Sequence, residues 1–140
     1  MSIAMQYHWA LVWTAMILFM VKVQWVFAAG PKAGQEGAIP GKPPAEMDHQ
    51  NFVFRAWRTH QNTVENLGAM LGTIVLAIFV GVSPDFAAWC VGVMFFARLI
   101  HMVLYYGIAT NKNPSPRSYF FMIAWVANLV LLIGAMVRLL

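Results

Sequence analysis

The sequence predicts an all-α integral membrane protein, a bundle of four transmembrane helices forming one domain over residues 1–140. Composition is the first observation: 61% of residues are hydrophobic and 10% charged, against about 45–50% and about 25% in a soluble domain. Pattern is the second, because the apolar runs are long and do not alternate apolar with polar, which favours helices over barrel strands. The third is that four runs approach or exceed the roughly 20 residues that cross about 30 Å of hydrocarbon. Six Trp, ten Phe and ten Met exclude a disordered chain. The single Cys90 excludes a disulfide scaffold, and no CxxC or Cys/His finger spacing is present. The net charge of +4 reads as membrane topology, with no nucleic-acid partner expected.

The first span is read over about residues 5–29, interrupted late by Lys22, a snorkelling residue, and Gln24. A cleaved signal peptide is the alternative there, but the segment lacks a basic start and Phe27-Ala28-Ala29 is a poor cleavage site. Residues 30–50 are rich in Gly, Pro and charge, and are read as a loop without regular structure. The second helix is read over 51–82, polar at first and apolar from Leu67 onward. Gly81 to Asp85 reads as a tight turn, with Ser83 or Asp85 available to cap the third helix over 86–109. A polar loop, Thr110 to Pro116, places Pro116 just ahead of a fourth helix over 117–138. No internal repeat is evident. Lys32, Arg55, Arg58, Lys42, Lys112 and Arg117 fall on one side of the membrane, against Asp85 and Arg138 on the other. The positive-inside rule then places the long loop in the cytoplasm and both termini outside.

An ionisable residue at the centre of a spanning helix costs at least about 2.5–3.5 kcal/mol, so it normally faces protein or water and has a role. Arg55, Arg58, Asn62 and Glu65 are spaced i, i+3, i+7, i+10, one stripe of the second helix. Arg98, His101 and Tyr105 are spaced i, i+3, i+7 on the third. Arg117 and Ser118 open the fourth, where free backbone N–H groups favour an anion. Topology brings all three sets to the cytoplasmic end. Read singly, each residue has a plainer role. Arg55 and Arg58 would be interfacial anchors, Glu65 with Arg98 a structural ion pair, His101 a hydrogen-bonder within the bundle, and Tyr105 an aromatic-belt residue. Cys90 and the methionines read as apolar filler. Together the residues describe a cationic pocket with one carboxylate, suited to a small peptide-like anion. Arginines grip carboxylates with paired hydrogen bonds, and an arginine beside a thiol favours the reactive thiolate.

The segment Arg55-Ala-Trp-Arg58-Thr-His-Gln-Asn62-Thr-Val-Glu65-Asn resembles the RA-x-R-x-H-x-N-x-x-E-N signature of the MAPEG family, membrane-associated proteins in eicosanoid and glutathione metabolism. Arg98-Leu-Ile-His101-Met-Val-Leu-Tyr105-Tyr-Gly107, followed by Pro116-Arg117-Ser118, is similar to that family's second signature. The resemblance covers about residues 5–137 and suggests a bacterial-type member in the inner membrane. It implies a homotrimer that takes glutathione as cofactor near the cytoplasmic face, with Arg58, Asn62, Glu65, Arg98, His101, Tyr105 and Ser118 as binding residues and Arg117 beside the sulfur. The implied activity is a glutathione-dependent transferase or peroxidase acting on a hydrophobic electrophile or lipid peroxide. The alternative is a non-catalytic binding or structural subunit of a larger membrane complex, in contact with lipid. The chain departs from the eicosanoid members in four places. Gln61 stands where prostaglandin E synthases carry another arginine, and Lys32 ends the first helix where eicosanoid members offer an arginine. The Tyr105-to-Arg117 stretch is a few residues longer, and the proline-rich loop has no counterpart.

Overall fold

The computed structural model describes residues 2–140. A short helix, α1 (Ile3–Gln6), leads into α2 (His8–Ala33), followed by α3 (Phe52–Phe79), α4 (Pro84–Gly107) and α5 (Pro116–Leu139), with no strand among the described residues. The last four helices are long and apolar enough to cross a membrane. The chain is a multi-pass integral membrane protein with a four-helix membrane bundle.

Helix ends follow local chemistry. Tyr7 breaks the N-terminal segment at φ −101°, ψ 26°. Its buried hydroxyl donates to the Val82 carbonyl at 2.7 Å, tying the start of the chain to the α3–α4 turn. The expected first loop begins later than residue 30, because α2 runs through Gly30 and Pro31 to Ala33. Pro31 lies in the last turn, so its missing N–H forfeits only one helical bond near the end. Asn51 caps α3 by accepting from the Val53 amide at 2.8 Å.

At its other end α3 stops at Phe79, not residue 82, in a Schellman motif. The Val82 amide donates to Ala77 and the Gly81 amide to Ile78, at 2.9 and 3.2 Å. Gly81 takes φ +72°, the left-handed conformation this motif requires. Ser83 occupies the N-cap of α4 without a side-chain bond, so the expected cap is replaced by Pro84 at the first helical position. Pro116 likewise is the first residue of α5 rather than its flank. Ser115 is the N-cap, sharing a reciprocal capping box with Ser118.

Of the four spans, α4 is the most enclosed by protein. Its Ala87, Cys90, Val91 and Met94 pack with Ile17, Ile74, Ala77, Leu131 and Ala135 in the core. The many buried alanines let helices approach closely where lipid supplies no hydrophobic drive between them. At Gly134 a Cβ would come within 2.9 Å of the Phe86 ring, so glycine sets the α4–α5 approach there. Outward-facing Trp9, Phe19, Trp25, Phe79 and Trp89 leave a broad apolar surface that a bilayer covers.

Candidate functional site

The polar residues collect at one end of the bundle, where α3 and α5 begin and α4 ends. Arg98, 1% exposed, projects from α4 onto α3. Its guanidinium donates to Asn62 Oδ1 at 2.9 Å and Thr63 Oγ1 at 3.0 Å. Thr63 donates in turn to the Thr59 carbonyl and Thr59 to the Arg55 carbonyl, so the α3 hydroxyls are oriented by their own helix. The far side of the Arg98 guanidinium lies 5.7 Å from the Phe121 ring centroid.

Glu65 does not pair with Arg98, as the plainer sequence reading would have it. It accepts two hydrogen bonds from Arg58, at 2.9 and 3.2 Å, in the only salt bridge among the described residues. The two positions are seven apart on one helix and therefore stacked on one face. Their side chains stay 33% and 55% exposed, so this pair borders the open face of the bundle.

Arg117, 8% exposed, lies with its guanidinium 4.0 Å from the Tyr105 ring centroid and donates to the Thr110 carbonyl at 3.2 Å. Its Nη1 is buried without a partner, as are Arg98 Nε and His101 Nδ1. His101 packs its ring against Tyr105 and Phe121, with centroids 5.4 and 6.3 Å apart. Aromatic rings thus separate the two buried guanidiniums, and neither has a carboxylate partner. The Ser118 hydroxyl is engaged in the capping box, bonded to the Ser115 amide and hydroxyl.

Two residues depart from the interfacial roles that their positions in the sequence suggest. Arg55 is buried rather than snorkelling. It donates to the carbonyls of His49, Gln50 and Tyr106, at 2.8, 2.9 and 3.3 Å, and so pins the end of the long loop to α4. Tyr105 is also buried, and its hydroxyl meets His49 Nε2 at 2.9 Å.

Periodicity could not point to His49, Asp48 or Asn111, which lie in loops. His49 Nδ1 is 3.1 Å from Asn111 Oδ1, and Asn111 Nδ2 donates to Asp48 Oδ1 at 3.2 Å. The two loops are therefore latched over Tyr105. The Gln50 amide and Asn111 hold the Asp48 carboxyl below its usual range. Burial pushes the His49 imidazole below its usual range. The Arg117 and Arg55 guanidiniums act in the same direction, while the Asn111 hydrogen bond and the Asp48 charge oppose them.

His60, about two residues off the stripe of Arg58 and Asn62, faces elsewhere. With Trp25, Lys32, Lys42, Trp57 and Gln61 it lines a cavity of about 450 Å³ between the end of α2, the long loop and α3. No group of His, Cys, Asp or Glu able to hold a metal occurs among the described residues.

Comparison with known proteins bears on the whole arrangement. The family model described as "MAPEG family" matches residues 7–137. No curated protein and no solved structure matches the chain.

Proposed function

The chain belongs to the MAPEG family, a family that includes glutathione transferases and peroxidases as well as non-catalytic members, and from that premise we propose that it is a glutathione-dependent membrane transferase or peroxidase. The observation that carries the reading is the pair of buried guanidiniums, Arg98 and Arg117, with unpartnered N–H groups and no carboxylate to neutralise them. Burying an unpaired charge costs several kcal/mol, which a bound anion offsets. Glutathione fits this donor set, with carboxylates for the arginines and an ammonium for Glu65. When bound it supplies a nucleophilic thiolate.

The residues of the chain divide the work. Arg58, Asn62, Glu65, Arg98, His101 and Tyr105 bind and orient the peptide. Arg117 stabilises negative charge at the sulfur, and Ser118 sets the start of α5 so that Arg117 holds its place. Fixing two reactants in one geometry supplies several kcal/mol of the barrier. The exposure of Arg58 and Glu65 supports a site completed by a neighbouring protomer of a homotrimer. An apolar groove of about 500 Å³ along α4, lined by Trp13, Gly92, Phe96, Ile100 and Phe120, supports entry of a hydrophobic electrophile or lipid peroxide from the bilayer. By charge bias the site lies toward the cytoplasm, with both termini outside, in a bacterial inner membrane.

Turnover of chlorodinitrobenzene and of cumene hydroperoxide by detergent-purified protein tests the proposal. Arg117→Ala is expected to lower either rate by about 100-fold, the scale set by removing one oxyanion donor, while the helical circular dichroism is unchanged. Absence of any glutathione-dependent rate in the parent protein would refute catalysis. It would leave the chain as a binding or structural subunit of a membrane complex.

A further inference from the structure

The latch over Tyr105 has a defined direction. Asn111 Nδ2 is committed to Asp48 Oδ1, so the Asn111 atom facing His49 is the carbonyl oxygen Oδ1, an acceptor. His49 must therefore carry its hydrogen on Nδ1, which leaves Nε2 bare, 2.9 Å from the Tyr105 hydroxyl. Tyr105 then donates to His49, and its oxygen keeps lone pairs able to accept a further hydrogen bond. Tyr105 is buried, whereas His49 borders solvent. A proton reaching Nε2 has a way out.

Resting on the thiol chemistry proposed above, we infer that His49 is the proton acceptor of the site, acting through Tyr105. The thiol S–H bond breaks with its electron pair left on sulfur, and the proton forms a new O–H bond on Tyr105. The original Tyr105 O–H bond breaks, its pair stays on oxygen, and its proton forms an N–H bond at His49 Nε2. Tyr105 begins and ends neutral. The resulting imidazolium sits beside the Asp48 carboxylate and passes its proton to water. Arg117 supplies the positive charge that the sulfur needs, and His49 answers where the proton goes. Because it acts through another residue, His49 is a positioning residue with a titrating ring. Asn111 lies in the α4–α5 loop and His49 with Asp48 in the loop before α3, so the latch joins two loops across the start of the site.

The groups around the ring set the pH range over which it accepts. Asp48 faces it from its own loop, Arg55 from α3, Tyr105 from α4, Asn111 from the α4–α5 loop and Arg117 from α5. Burial and the two arginines keep the ring neutral to lower pH than an ordinary histidine. The rate should therefore fall on acidification only below the usual value of about 6.5.

Two measurements test this. In ligand-free protein, nitrogen NMR of labelled histidine at neutral pH is expected to show His49 protonated at Nδ1 and bare at Nε2, with the Nε2 signal shifted in Tyr105→Phe. A protonated Nε2 at neutral pH would overturn the relay whether or not the protein is an enzyme. In the second, His49→Gln is expected to lower turnover about tenfold or more and to abolish the acid limb of the pH profile, with glutathione affinity by calorimetry within about twofold of the parent. Asn111→Ala, which frees the ring to adopt either tautomer, should show a smaller loss of the same kind. A His49→Gln profile superimposed on an active parent overturns the relay alone. A parent that neither binds nor uses glutathione overturns the underlying reading and the relay with it.

Discussion

Arg98 holds a full charge at 1% exposure with only neutral oxygens, from Asn62 and Thr63, as hydrogen-bond partners. Hydrogen bonds to a charged group contribute about 1.5–3 kcal/mol each, against a desolvation cost of several kcal/mol. The ligand-free bundle therefore gains little from this residue, and a bound anion gains much. Arg98→Met is expected to leave the thermal midpoint in detergent at or above that of the parent, while weakening glutathione binding at least about tenfold, the loss of one charged hydrogen bond. A destabilised Arg98→Met with intact binding would mean that the arginine is structural. His49 and Asp48 add a pH dependence of one sign. Both are held below their ordinary values in the fold, so the unfolded chain binds the proton more tightly. The stability they contribute is present above those ordinary values and is lost as pH falls through them. Below about pH 6.5, the ordinary histidine value, the thermal midpoint of the parent should fall more steeply than that of His49→Gln. At this scale the stripes were legible, because spacing alone places Arg58, Asn62 and Glu65 on one face and Arg98, His101 and Tyr105 on another. Partners were not. Arg58 takes Glu65 because both lie on the same helix face, and His49 belongs to a loop whose geometry has no period to read.

At the scale of elements, boundaries turned on backbone hydrogen bonds that composition does not reveal. The extension of α2 through Gly30-Pro31 runs against the breaker rule, with Pro31 giving up the bond its N–H would make to the preceding turn only two residues before the helix ends. The stop of α3 at Phe79 comes from Gly81, whose positive φ closes the Schellman motif. Gly81→Ala places a Cβ in the left-handed region and is expected to cost about 1–2 kcal/mol, seen as a lowered denaturation midpoint with unchanged helix content. Arg55 links elements as well. Its three bonds to carbonyls of His49, Gln50 and Tyr106 hold the incoming loop against α4. Arg55→Ala should leave the four spans intact and raise amide hydrogen exchange selectively over residues 48–52. Uniformly raised exchange across α3 would instead assign Arg55 to helix stability.

For the molecule as a whole, the four spans follow from a 61% hydrophobic chain and recur in the structure with ends shifted by a few residues. The scarce charge concentrates at one end of the bundle because a bilayer tolerates it only where protein or a ligand supplies partners. What the sequence could not show is how much of that charge remains unanswered inside the bundle. Asn62 and Thr63 give Arg98 hydrogen bonds but no counter-charge, and Arg117 keeps a buried N–H without a partner. An anion-binding site is the simplest resolution, and glutathione is the anion that family membership favours. Calorimetric titration of the detergent-purified protein with glutathione tests this most directly. Saturable binding is expected, sharply weakened in both Arg98→Met and Arg117→Ala. A titration without binding heat, confirmed by a thermal midpoint that glutathione does not raise, would contradict it.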